Sequence, residues 1–262
     1  MLLPLPPQEK APESTVVGRL DILPFASKVL GNERKIRVWL PPFYKRGGGL
    51  LLMHDGQNLF DGATSYIPGQ EWRVDETATA TIRAGLMPRV AIVGIDNAGA
   101  ERANEYLPTA FVMQNGTRIG GKADLYLRMI SEELLPMLAA KYGTPTKGIG
   151  MVGSSLGGIV TIYAGLTDPE RYTRLGIVSP SLWVDGGAPL NWPKRLKKRP
   201  RAWIDIGGAE SGGEADALVL LNRFRAAGWG DSEVLLYDEP RAEHNEGAWA
   251  RRLPTMLAWL YR

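Results

Sequence analysis

Six short apolar runs punctuate the chain at Leu50 to Met53, Val90 to Ile95, Ile149 to Val152, Leu175 to Val178, Trp203 to Ile206 and Val234 to Tyr237. Each spans four to six residues with little alternation, which suits strands buried on both faces of a parallel sheet. Two earlier segments, Thr15 to Ile22 and Lys35 to Leu40, read as extended; the second alternates charged and apolar positions, as a half-covered antiparallel strand does. Helical patterns separate the later runs. The clearest is Asp124 to Tyr142, where Leu127, Ile130, Leu134 and Leu138 recur at helical spacing and Pro136 should kink the helix or mark a boundary. Ile159 to Leu166 and Glu214 to Ala226 are further helix candidates. Strand and helix in alternation predict the α/β class: a mostly parallel sheet of about eight strands, helices on both faces and an antiparallel start.

Nothing in the pattern divides the chain. The glycine clusters at Gly47 to Gly49 and Gly207 to Gly213 adjoin strand-like runs and read as turns. One domain over residues 15–262 is expected, preceded by a Pro-rich extension over 1–14. With 262 residues the chain has room for a sizeable core. No run approaches 18 apolar residues, so no membrane span is expected. Met1 to Pro7 is apolar but short, broken by three prolines and not preceded by positive charge, unlike a signal peptide. A cytoplasmic location is the expectation, or a secreted one if a leader once preceded the chain.

Composition narrows the chemistry. The chain has no cysteine, hence no thiol nucleophile, disulfide or cysteine-ligated metal, and only two histidines, His54 and His244. No metal and no cofactor are expected. The net charge of +3 says little about partners. Lys194 to Arg201 packs six basic residues into eight positions, but without interleaved aromatic residues it reads as a solvated surface and not as a nucleic-acid site.

Gly153-Ser154-Ser155-Leu156-Gly157 matches G-x-S-x-G between a strand candidate and a helix candidate, the setting of a tight strand-to-helix turn that exposes a nucleophilic serine. A hydroxyl needs a base within hydrogen-bond reach. In α/β-hydrolases the order runs serine, acid, histidine, and only His244 follows Ser155. Asp205, Glu210, Glu214 and Asp216 compete for the acid. Asp205 falls inside a strand run, and Glu214 and Asp216 open a helix, whereas Glu210 directly follows a strand and Gly207-Gly208; Glu210 is therefore expected to orient the imidazole. The oxyanion hole is assigned to the backbone amides of Leu156 and Gln57, with Gly56 the near alternative to Gln57.

The ordered set Leu52-Met53-His54-Asp55-Gly56-Gln57-Asn58-Leu59-Phe60-Asp61, Val93-Gly94-Ile95-Asp96-Asn97 with Arg102 and Glu105-Tyr106, Gly153 to Gly158, Ser179-Pro180-Ser181-Leu182-Trp183, Gly207-Gly208-Ala209-Glu210, and His244 with Trp249 resembles the putative-esterase family of α/β-hydrolases. That family includes enterochelin-esterase-like proteins, feruloyl esterase domains, S-formylglutathione hydrolases and mycolyltransferases. The resemblance spans roughly residues 15–260 and implies Ser155 as nucleophile, His244 as base and residue 210 as acid. Relatives often carry aspartate at that last position; Glu210 adds one methylene. A serine carboxylesterase acting on a small-molecule ester (short-acyl, aryl or sugar) is the resulting expectation, with acyl transfer through the same triad, or a hydrolase-shaped binding scaffold, as alternatives. Trp183 and Tyr106 are expected to meet the substrate, Trp183 against the alternative of core packing. The polar loop Ala98 to Gly121, which carries Tyr106, Phe111 and Met113, is expected to cover the site. Oligomeric state is not legible.

Overall fold

A computed structural model describes residues 14–113 and 115–262. Apart from Ser14, the extension expected over 1–14 lies outside the described residues. The strands are β1 (Arg19–Ser27), β2 (Asn32–Leu40), β3 (Leu50–His54), β4 (Ala91–Ile95), β5 (Ala110–Val112), β6 (Arg118–Gly120), β7 (Ile149–Ser154), β8 (Tyr172–Val178), β9 (Arg201–Gly207) and β10 (Val234–Glu239). The α-helices are α1 (Val74–Arg83), α2 (Arg102–Tyr106), α3 (Ala123–Arg128), α4 (Leu135–Tyr142), α5 (Leu156–Thr167), α6 (Gly213–Ala226) and α7 (Glu246–Tyr261).

Among the described residues, eight strands form one sheet in the order β1-β2-β4-β3-β7-β8-β9-β10, and β5 and β6 form a separate hairpin. β1 pairs antiparallel with β2 and β2 with β4; the remaining pairs are parallel. Alternation along each strand feeds two cores. Leu50, Leu52, Met151, Ala202 and Ile204 face one side, under α3 to α6, while Leu51, Met53, Val152 and Trp203 face the other, under α1 and α7. Both faces of the central strands are thereby removed from water, which is why they read as continuous apolar runs.

The stretch 124–142 is one continuous helical rod with a π-helical turn at Met129–Leu134, and Pro136 sits in the first turn of α4. The π-helical turn just before it accommodates the ring and the missing N–H inside the rod. β1 begins four residues later than the extended segment expected at Thr15. Residues before Arg19 are held by side chains instead of a ladder: Thr15 donates to Glu71, and the Val17 amide to Asp75. The long polar loop at 98–121 is also more ordered than expected, folding into a 3-10 turn, α2 and the β5–β6 hairpin. No helix among the described residues is long and apolar enough to cross a membrane.

Candidate active site

The carboxyl ends of β3, β4, β7, β8, β9 and β10 deliver the polar residues of the site, at the sheet edge where parallel α/β folds bind ligands. β7 ends at Ser154 and α5 begins at Leu156, so Ser155 alone makes the turn, with φ 57° and ψ −124°. For a residue with a Cβ, this conformation costs about 1–3 kcal/mol and persists only where its surroundings enforce it. The enforcement is visible in the flanking glycine. A Cβ on Gly153 would lie 2.5 Å from the Gly157 carbonyl oxygen and 2.7 Å from His54 Cδ2, so only glycine lets strand, turn and helix approach this closely. The Ser155 hydroxyl is 3.1 Å from the Ser181 hydroxyl. Ser155, His244, Gln57, Asn58, Arg102 and Trp249 are among the residues lining a cleft of about 670 Å³.

His244 lies beyond β10, and its Nδ1 is 2.7 Å from Glu210 Oε2. Glu210, after β9, accepts two further hydrogen bonds on Oε1, from the Ser179 hydroxyl at 2.6 Å and the Gly207 amide at 2.9 Å. Burial opposes its charge, but His244, Ser179 and Gly207 outweigh burial and hold the carboxyl below its ordinary range. Asp205, the strand-borne competitor, is fully buried. It accepts from Trp203 Nε1 at 2.8 Å and lies 3.1 Å from Arg252 Nε, with no contact to His244; burial pushes its pKa up to about 6 against the pull of Arg252. Trp249 meets the His244 ring edge-on, with centroids 5.1 Å apart.

Beyond β3 the chain turns at Asp55, which has φ 56°, into a 3-10 turn over Gly56–Asn58. Asp55 receives both arms of the Arg102 guanidinium, at 2.7 and 2.8 Å, and the Asn97 amide at 2.7 Å. Burial opposes its ionisation, yet these partners keep it below the usual carboxylate range. The pair ties the turn carrying Gln57 to α2. Gln57 Oε1 accepts from the Asn97 amide, and the Gln57 carbonyl from Thr64. The first amides of such a turn, like that of Leu156 at the start of α5, have no carbonyl partner within their own helix. Glu246 opens α7 on the same cleft and accepts from Asn58 Nδ2 at 3.0 Å.

His54 is buried against the turn, its Nδ1 2.9 Å from the Tyr126 hydroxyl, and burial pushes its pKa down to about 4. It is a packing residue beneath Ser155. One expected substrate contact requires correction. Tyr106 is fully buried, stacked obliquely on His54 and Tyr126 with centroids 5.2 Å away in each case, because α2 turns it inward where a loop would have left it at the cleft. Trp183 is 61% exposed, which excludes the alternative of core packing. Conversely, the pattern of residues carrying the resemblance contains Asp55, Ser179, Ser181 and Trp249, to which sequence reasoning assigned no task. Arg252 went unnoticed altogether; its signal would have been a charged residue on the apolar face of α7.

A sheet of this strand order, with a strained serine between its central strand and the following helix and a carboxylate-bound histidine past its last strand, defines an α/β-hydrolase. The family model described as Putative esterase matches residues 27–260, and the chain belongs to that family: it is a carboxylic ester hydrolase. A Bacillus subtilis relative, the uncharacterized protein YbbA, is 25% identical over 248 residues, covering 88% of this chain and 93% of the relative. Among solved structures, the BES protein from Bacillus cereus superposes with a TM-score of 0.78 at 18% identity over 97% of this chain and 99% of that one. The enterobactin esterase FES from Shigella flexneri, in the presence of enterobactin, has a TM-score of 0.75 at 18% identity, over 94% of this chain and 60% of that one. Among the described residues no group of three or more His, Asp or Glu is placed to hold a metal ion.

Proposed function

We propose that the chain hydrolyses carboxylic esters through an acyl-enzyme on Ser155. The single observation that carries the reading is the strained Ser155 facing the same cleft as a histidine whose far nitrogen is held by a buried carboxylate. In this reading His244 Nε2 takes the Ser155 proton as Oγ attacks the ester carbonyl, then gives it to the departing alcohol. Glu210 holds the imidazole and balances the imidazolium. The amides of Leu156 and Gln57 meet the oxyanion, each at the first turn of a helical segment where amides lack internal partners. Water then enters by the same base and frees the acid.

Polar side chains surround the cleft, but apolar atoms make up most of its exposed surface. Of its carboxylates, Asp55 is engaged by Arg102 and Asp96 by Arg37, while Glu246 accepts from Asn58. This lining favours an ester that joins an apolar body to hydroxyl or amide groups. The test is a panel of short p-nitrophenyl, feruloyl, acetylated-sugar and catecholate-serine esters, each with and without a competing alcohol acceptor. Turnover that vanishes in Ser155→Ala supports the mechanism; undiminished turnover ends it. Transfer to the acceptor exceeding hydrolysis would make the chain an acyltransferase.

A further inference from the structure

Ser179 follows β8 at φ 40°, with its hydroxyl at a four-way junction. It is 2.6 Å from Glu210 Oε1, 3.0 Å from Trp249 Nε1 and 2.7 Å from Arg252 Nη2. The indole and guanidinium nitrogens can only donate. They therefore fill both lone pairs of the Ser179 oxygen, and its single proton has one place to go, Glu210 Oε1. That same oxygen accepts from the Gly207 amide. With two donors aimed at it, Oε1 cannot carry a proton, and the acceptor direction of the carboxylate is imposed from behind.

We infer that Ser179, locked by Trp249 and Arg252, is the positioning residue that pins Glu210 so that its Oε2 faces His244. The inference rests on the proposed triad for its catalytic consequence. An ionised Glu210 accepts at either oxygen; with Oε1 pinned by Ser179 and Gly207, Oε2 is the one held against His244, so Nδ1 carries the imidazole proton and Nε2 keeps the lone pair the base requires. The charges around the junction agree. Arg252, on α7, is buried between Asp205 of β9 at 3.1 Å and Glu239 of β10 at 3.3 Å, and lies 3.8 Å from Glu210 itself. These groups and His244 are the charged or titratable neighbours that face Glu210, and the cation among them is the one that holds Ser179. Ser179 accordingly sits outside the cleft lining and touches no substrate; it acts through Glu210 alone.

Ser179→Gly tests this, because glycine accepts a positive φ without strain and only the hydroxyl is lost. With two histidines in the chain, ¹⁵N-histidine labelling resolves each ring. His244 in the unaltered protein is expected as the Nδ1–H form. In Ser179→Gly its ring nitrogens should move toward a mixture of tautomers. In parallel kcat should fall about ten- to a hundredfold, the worth of one hydrogen bond to a charged group, with KM within twofold. Ser179→Ala, which removes the same hydroxyl and keeps the Cβ, should shift the same signals in the same direction; it also serves if the glycine variant does not fold. Unchanged His244 nitrogen shifts in the variant that folds, with kcat within twofold, would overturn the inference. The nuclear signal needs no substrate, so it reads Ser179 even if Ser155→Ala shows that ester hydrolysis runs by another nucleophile.

Discussion

Glutamine at position 210 is nearly isosteric with glutamate, yet the structure makes it a severe change. Oε1 of Glu210 faces two donors, the Ser179 hydroxyl and the Gly207 amide, and Oε2 faces His244 Nδ1 at 2.7 Å. A glutamine must place its carbonyl toward the two donors, because an NH₂ there would confront an N–H and leave it unpaired at about 1–3 kcal/mol. The NH₂ is then forced against His244, whose Nδ1 must become an acceptor. Nε2 is left protonated and cannot accept the Ser155 proton. An inverted tautomer of this kind lowers kcat by about 10⁴ in the serine protease triad, close to 5 kcal/mol at 1.36 kcal/mol per decade. The assay is steady-state hydrolysis of a short p-nitrophenyl ester by Glu210→Gln, with the melting temperature recorded alongside. Folding should survive, since shape and the two donor contacts are retained. A stable variant retaining more than a tenth of wild-type kcat would refute this reasoning; a large loss in Asp205→Asn with Glu210→Gln active would transfer the acid to Asp205.

Three other outcomes follow from the same structure. Gly153→Ala brings its Cβ to 2.5 Å from the Gly157 carbonyl oxygen, so it should lower stability by about 1–3 kcal/mol or more and kcat by about a hundredfold as Ser155 shifts; Gly230→Ala, whose nearest atom lies 3.8 Å away, should change neither, and calorimetry with kinetics compares them. Arg102→Ala strands the buried Asp55 charge beside Gln57, costing about 3 kcal/mol in chemical denaturation and more activity than Arg102→Lys. Burial, with Glu76 beside it, raises the pKa of the interior Asp75 to about 7. A carboxyl whose folded pKa is raised contributes its stability below the unfolded value near 4 and loses it as pH climbs toward 7. Asp75→Asn should therefore raise the melting temperature at pH 8 and change it little at pH 4; an equal gain at both would show that Asp75 does not titrate there.

The legible parts of the fold were those decided by local pattern. β3, β4, β7, β8 and β9 announce themselves because their central residues are buried on both faces, whereas β10 is an edge strand that is only partly covered. The strand-to-helix turn at Ser155 was legible because steric crowding at Gly153 is written directly into G-x-S-x-G. α7 was passed over, although Trp249, Leu253, Met256 and Leu260 keep helical spacing and Asn245 caps it by accepting from the Ala248 amide; Pro254 and two arginines masked the period. Tyr106 was misplaced for a different reason. Its direction is settled by the Arg102–Asp55 pair and by packing on His54, contacts made across 47 to 52 positions of chain that no local window registers. The junction at Ser179 was likewise beyond reach, since its partners at 210, 249 and 252 meet only once β8, β9 and α7 are in place.

In the proposed mechanism Ser155 becomes covalently acylated. An active-site-directed fluorophosphonate, added to the intact protein and followed by peptide mass spectrometry, reads this directly. One equivalent of label is expected on the peptide containing Ser155, with none in Ser155→Ala and strongly slowed labelling in His244→Ala. Label on another residue, or labelling of Ser155→Ala at the wild-type rate, would contradict it.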